Sequence, residues 1–297
     1  MTNTRDLQYF QALVKYKNYT RVAKEFGVSQ PTVTQAIKRL EKEFDAQLVY
    51  TDRAHRQNMI TRSGQLLAAS AKAINEQISL AHHSIDLVQE RQIRFGLPPI
   101  IGKLLVAKIA KKVPGSIMRR VQICEAGSQE LLSKLLKGEI DVAMLGSVAP
   151  LDEEKVYVQL LTKRPYSIMV SAKSPLAQRK KISFKELANQ HFITYDKQYV
   201  HVAAMRSYFA YAHIKPTVAV YKVPDISWVK ELVRENVGIA LMVRDAAKNE
   251  TGIVPLEIDD PLPEWFYISL AIRNGYVLSD EEQHFVKLLG QVAKEDE

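Results

Sequence analysis

The chain has 297 residues, 46% hydrophobic and 25% charged, with a formal net charge of +8 and a single cysteine. That length suits two or three compact units, and the composition excludes a disordered chain. A lone Cys124 excludes an internal disulfide and a cysteine-held zinc, which fits a reducing cytoplasm.

The first residues, MTNTRDLQYF, lack the apolar core of a signal peptide. The longest apolar stretches are interrupted by lysines and too short to span a bilayer, so a cytoplasmic protein with no membrane partner is expected. The positive charge is uneven. Residues 1–62 hold eleven Lys/Arg against six Asp/Glu, while the rest of the chain has a net charge of only +3. A basic N-terminal fifth favours a polyanionic partner there.

In chain order, residues 4–16 place Leu7, Phe10, Leu13 and Val14 on one helical face, with Thr4 as the expected cap. Residues 20–26 form a second short helix that Gly27 ends. Ser29-Gln30-Pro31 opens a third: Ser caps it, and Pro is tolerated in a first turn where its missing N–H is not needed. Val33, Ile37, Leu40 and Phe44 give that helix an apolar stripe. Residues 51–61 are polar and basic and suit a β-hairpin wing. From Thr61 to Glu90 apolar residues recur every three to four positions, which predicts one long helix.

Beyond Ile93, strands and helices alternate. Strands are expected at 93–96, 119–124, 141–145, 157–161, 166–170, 191–194, 217–223, 238–242, 253–256 and 265–272. Helices are expected at 100–112, 128–137, 202–212, 225–235 and 280–293. This pattern argues for an α/β region with largely parallel sheets, split between two subdomains.

A helix-turn-helix reads DNA by laying its second helix in the major groove. Here the outer face of that helix offers Gln30, Thr32, Thr34, Gln35 and Lys38 to bases. Gln matches adenine, Lys matches guanine acceptors, and a Thr methyl can touch thymine. Arg39, Lys42 and the Ser29–Pro31 helix start suit phosphates, and Arg53, His55 and Arg56 of the wing suit backbone or minor groove. The competing reading is a helical hairpin with a solvated polar face. Enzymes leave other marks, and the sequence has no Gly-x-Ser-x-Gly, Walker loop, His-Glu-x-x-His or dinucleotide glycine run. Neither a cofactor nor a metal site is expected.

The run YTRVAKEFGVSQPTVTQAIKRLEKEF (19–44), with QLVYTDR (47–53) and ITRSG (60–64), resembles the N-terminal domain of LysR-type transcriptional regulators. Val22, Asp45, Val49 and Thr51 depart from that pattern, standing where the family has Ala, Gly, Phe and Arg. The resemblance continues at KGEIDVA (137–143) and ENVGIAL (235–241). Within the family the chain also resembles the malolactic-fermentation regulators, which implies malate as co-inducer.

The resemblance implies a fold in three parts. Residues 1–62 are a winged helix-turn-helix, all-α with a small β wing, and 63–91 are a long linker and dimerisation helix. Residues 92–297 are an α/β effector domain similar to a periplasmic binding protein, with subdomain I at about 92–162 and 268–297 and subdomain II at about 163–267. Crossovers fall near Leu161–Arg164 and Trp265–Ser269. The implied partners are double-stranded promoter DNA, a small-molecule co-inducer (a small carboxylate), a homodimer or homotetramer, and RNA polymerase.

Loop placement nominates cleft residues, since ligands of such folds lie at strand ends and helix starts. They are Pro98, Pro99 and Ile100; Gly127 and Ser128; Gly146 and Ser147; Tyr195, Lys197 and His201; and Pro224 and Asp225. Pro98-Pro99-Ile100 stands where much of the family supplies a hydroxyl. Ser128 has a plain alternative as a helix cap, and Tyr195 and His201 as structural residues. Lys173, Lys197 and His201 are the candidates for positive charge.

Overall fold

The computed structural model describes residues 3–52, 57–90, 92–195, 199–221, 226–248, 250–262 and 265–294. It divides into two compact units, residues 1–89 and 90–297.

The first unit opens with α1 (Thr4–Tyr16), α2 (Tyr19–Glu25) and α3 (Gln30–Glu43). Asn3, rather than Thr4, caps α1: its side-chain oxygen accepts the Arg5 N–H. Asn18 does the same for α2, and Ser29 caps α3 by accepting from the Thr32 N–H. The apolar stripes meet as expected except at Phe44, which lies past the last turn of α3 and is 47% exposed. Leu7, Phe10, Leu13, Val22, Val33, Ile37 and Leu40 form one buried core. The wing follows as antiparallel β1 (Val49–Asp52) and β2 (Gln57–Ile60), then α4 (Arg62–Glu90).

The second unit runs β3 (Ile93–Gly96), α5 (Pro99–Lys112), α6 (Gly115–Met118), β4 (Val121–Cys124), α7 (Ser128–Leu136) and β5 (Val142–Ser147). The long β6 (Val156–Ser171) is next. Then come β7 (Lys181–Ile182), β8 (His191–Tyr195), α8 (Val200–Ala212), β9 (Thr217–Tyr221), α9 (Ile226–Arg234) and β10 (Ala240–Val243). The unit closes with β11 (Ile253–Ile258), β12 (Trp265–Arg273) and α10 (Asp280–Lys294). Short 3-10 turns at Pro175–Gln178, Phe184–Leu187 and Arg244–Ala247 complete it.

Two expectations change here. The strands read at 157–161 and 166–170 are a single strand, β6, because Thr162–Pro165 keep an extended backbone and stay paired to β12. The sheets are mixed rather than largely parallel. β3 pairs in parallel with β4 and β5, and β8 with β9, whereas β12 pairs antiparallel with β5 and β6, and β10 and β11 antiparallel with β6. Alternation along the sequence reports the helical connections within each lobe. It does not report the strands that run between lobes.

β6 is what joins the lobes. Residues 156–165 pair with β12, and residues 166–171 pair with β10 and β11. One lobe gathers β3, β4, β5 and β12, and the other β7, β8, β9, β10 and β11; β6 is shared. Among the described residues no helix is long and apolar enough to cross a membrane.

Candidate functional site

The head's outer face is built on α3. Val33, Ala36, Ile37 and Leu40 are buried, so the 3.6-residue period turns Gln30, Pro31, Thr32, Gln35, Lys38 and Arg39 outward, where all are exposed. Thr34 is half-buried at the edge of that face. The Ser29 and Thr32 hydroxyls lie 2.8 Å apart. The Gln30 amide donates to Thr34 Oγ1 at 3.3 Å, and that hydroxyl donates to the Gln30 carbonyl at 3.1 Å.

Arg39 is engaged within the head. Its Nε and Nη2 donate to the two carboxylate oxygens of buried Asp6, at 2.8 and 2.7 Å. The guanidinium therefore anchors α3 to α1 while its outer edge remains exposed.

The wing's base is fixed by three family-like residues. Glu41 Oε1 accepts from the Leu48 and Val49 N–H groups. The Thr61 hydroxyl donates to the carbonyls of Gln47 and Leu48 and accepts from the Gly64 N–H. A Cβ on Gly64 would lie 2.4 Å from the Leu48 carbonyl oxygen, so only glycine fits there. Asp45, in the family's glycine place, sits at φ 46°, a left-handed conformation that Asp tolerates better than most residues. Arg53, His55 and Arg56 lie outside the described residues.

In the second unit, residues from far apart in the chain line one cavity: Pro98, Pro99, Ile100, Gly127, Ser128, Tyr199, Val200, His201, Ile226 and Phe266. About 30 Å³ of it is open to the centre of a water molecule, room for one or two waters. Four helices begin on this cavity: α5, α7, α8 and α9. No side chain caps α5, α7 or α8. The first N–H groups of a helix lack intrahelical partners and carry partial positive charge. The exposed walls of the cavity are almost wholly apolar, and four helices begin at its edge.

Of the nominated residues, the structure brings Pro99, Ile100, Ser128 and His201 together at the cavity, with Pro98 and Gly127. Gly146 is not in a loop after a strand but inside β5, paired with Ile268. It stands behind the wall: its N–H donates to Ser128 Oγ at 2.9 Å, and a Cβ there would meet the Phe266 ring at 2.5 Å. Ser128 is the first residue of α7 rather than its cap, which is Gly127. His201 is not in the loop before a helix but in the first turn of α8, which starts two residues earlier than expected.

His201 is 3% exposed, stacked on Phe266 at 5.5 Å and edge-on to Tyr166 at 5.7 Å. Burial pushes its pKa down to about 4, so the ring is neutral near pH 7 and supplies no positive charge. Nor does Lys173 contribute at the cavity: it reaches Glu235 at 3.1 Å on the surface. Lys197, Pro224, Asp225 and the side chain of Tyr195 lie outside the described residues. Sequence reasoning missed Tyr199, Val200, Ile226 and Phe266. Of these only Ile226, inside the helix expected at 225–235, had a local signal.

A basic helix-turn-helix head and a two-lobed half with a cavity at its helix starts define a DNA-binding regulator with a ligand-binding domain. Residues 4–79 match the family described as "Bacterial regulatory helix-turn-helix protein, lysR family", and residues 88–294 match "LysR substrate binding domain". The chain belongs to the LysR family of transcription regulators, which are not enzymes. It is 34% identical to the malolactic fermentation system transcriptional activator of Lactococcus lactis, over 97% of this chain and 98% of that protein. It is 27% identical to a hydrogen peroxide-inducible genes activator of Haemophilus influenzae, over 98% of this chain and 97% of that protein. Its fold is like that of a cysteine-substituted OxyR from Corynebacterium glutamicum, with TM-score 0.57 and 19% identity, covering 99% of this chain and 93% of that one. The effector binding domain of QuiR in complex with shikimate aligns with TM-score 0.58 and 20% identity, covering 69% of this chain and 97% of that one.

Proposed function

We propose that this regulator is switched by a small carboxylate that enters the second unit's cavity when its two lobes part and widen it. The observation that carries this is the start of four helices on one apolar cavity, three of them without a side-chain cap. A carboxylate satisfies those N–H groups and the helix dipoles without any side-chain cation. Pro98-Pro99-Ile100 leaves the recognition to backbone, and neutral His201 adds no charge. Malate is the first candidate, given the Lactococcus relative's name and the resemblance to malolactic regulators; shikimate, held by QuiR, is also a carboxylate. Closure of the two lobes about β6 and β12 is the switching motion in this reading.

In the same reading residues 1–62 are the head, 63–91 the linker and dimerisation helix, and 92–297 the effector half. Ser29, Gln30, Pro31, Thr32, Thr34, Gln35 and Lys38 face promoter DNA, with Arg39, Arg53 and Arg56 on phosphates. Two heads pair through α4 as a homodimer or homotetramer in the cytoplasm and present DNA to RNA polymerase. An apolar groove of about 580 Å³ beside α4, lined by Leu7, Phe44, Leu48, Leu66, Leu67 and Ile74, supports that pairing. Here Leu66 is 67% exposed.

The test is a thermal-shift series with L-malate, acetate and their amides, followed through tryptophan. Both tryptophans, Trp228 and Trp265, lie in the second unit. A rise in Tm with the acids and none with the amides supports the reading. Equal shifts with acid and amide contradict it.

A further inference from the structure

The side chains at the start of α3 form a closed donor–acceptor sequence that determines which atoms of Gln30 remain for DNA. Thr34 has one hydroxyl hydrogen, and it is given to the Gln30 carbonyl oxygen at 3.1 Å. Toward any other neighbour its oxygen can then only accept. The Gln30 amide atom 3.3 Å away must therefore be the nitrogen, which settles the orientation of the amide group. One N–H of Gln30 is used on Thr34. The amide keeps an acceptor, Oε1, and a second N–H. That pair complements the N6–H and N7 of adenine in the major groove.

Thr34 is half-buried, one helical turn beyond Gln30 on the same face, so the pair is an i, i+4 contact. Gln30 itself is exposed, at the first position of α3, with nothing deeper to hold a long flexible amide. Fixing its rotamer before DNA arrives removes an ordering cost that an unsupported Gln would bear on binding.

We propose that Thr34 is a positioning residue for base readout: it orients Gln30 toward adenine rather than contacting a base through its own hydroxyl. Thr34 thus sets sequence preference at the base pair that Gln30 reads. Valine at 34 keeps the shape and loses the hydroxyl, and serine keeps the hydroxyl and loses the methyl.

The experiment selects and sequences bound duplexes from a random pool with the full-length protein. Wild type, Gln30→Ala, Thr34→Val and Thr34→Ser are compared, with melting curves confirming that each is folded. Wild type is expected to favour adenine about 10-fold or more at one position of each half-site, the scale of one good bidentate contact. Gln30→Ala and Thr34→Val should lower that preference to below about 3-fold at that same position. Thr34→Ser should restore it, and the salt dependence of affinity should not change, because no phosphate contact is lost. Unchanged preference in Thr34→Val overturns the proposal. So does a loss at a different position from Gln30→Ala, or a failure of Thr34→Ser to rescue. Absence of duplex binding by wild type would overturn the DNA-reading assignment of α3 itself, a result distinct from the others. A destabilised Thr34→Val leaves the comparison of Thr34→Ser with Thr34→Ala, in which only Ala should lose the preference.

Discussion

The outer face of α3 and the cavity of the second unit are opposite solutions to recognition. On α3 the backbone is consumed by the helix, and exposed side chains carry the polar atoms. At the cavity the exposed walls are almost wholly apolar, and four helices begin at its edge. The first surface suits a partner whose sequence must be read atom by atom. In the proposed function the second takes a small anion, shielded from water, at its helix starts. The contrast also teaches where substitutions act. On the outer face of α3, Arg39 apart, a side chain can be removed with little effect on folding, whereas in the cavity wall the same change disturbs the core.

The largest effect is expected at Phe266, 1% exposed and packed on His201, Tyr166 and the bare face of Gly146. Phe266→Ala should destabilise the second unit by about 3–5 kcal/mol, the usual cost of emptying a buried aromatic site. Urea unfolding followed by tryptophan fluorescence measures it. A change below about 1 kcal/mol would mean that the wall is not packed as described.

Next is Gly64, which holds the head's wing to α4. Ala normally gains up to roughly 1 kcal/mol over Gly in a helix. Here its Cβ would collide with the Leu48 carbonyl, and a rigid overpacking of this kind costs about 1–3 kcal/mol. Gly64→Ala should therefore lower the head's stability, seen by circular dichroism, while an isolated preference for Ala would raise it.

His201 separates the two sites by pH. Its folded pKa, about 4, is below the ordinary 6.5, so in the window between them the unfolded chain binds the extra proton. The stability it contributes is present above about pH 6.5 and is lost as pH falls toward 4. Between pH 7 and pH 5 that loss should be about 2 kcal/mol in the second unit. His201→Gln should flatten the slope by that amount; an unchanged slope would show that the ring is not buried neutral.

The smallest effect is at Asp45. Glycine relieves the left-handed backbone at φ 46°, so Asp45→Gly should stabilise the head by about 0.5–1 kcal/mol. A lower Tm for the head would show that the Asp side chain is needed there.

The same contrast explains what the sequence made legible. A Ser-Gln-Pro start, a Gly stop and an apolar period are local signals, so α2, α3 and the polar face from Gln30 to Lys38 were readable. Asp6 as the partner of Arg39 was not, because their link spans 33 positions and depends on how α1 crosses α3. In the cavity, Pro99 and Ser128 were readable as helix starts. Tyr199 and Val200 were not, because bulky and β-branched residues are weak helix starters and the apolar period begins after them. Phe266 was hidden in an apolar strand whose two faces cannot be told apart until β12 is paired with β5 and β6. The break read between 161 and 166 followed Thr162–Pro165, yet the strand passes through.

The most direct test of the account is a titration of the amide-labelled full-length protein with L-malate and acetate, followed by NMR at the backbone N–H groups. The largest amide shifts should fall at the first turns of α5, α7, α8 and α9, around Ile100, Ser128, His201 and Ile226, with surface lysines unaffected. Shifts confined to lysine-rich surface segments, or none at the four helix starts at saturating ligand, would contradict it.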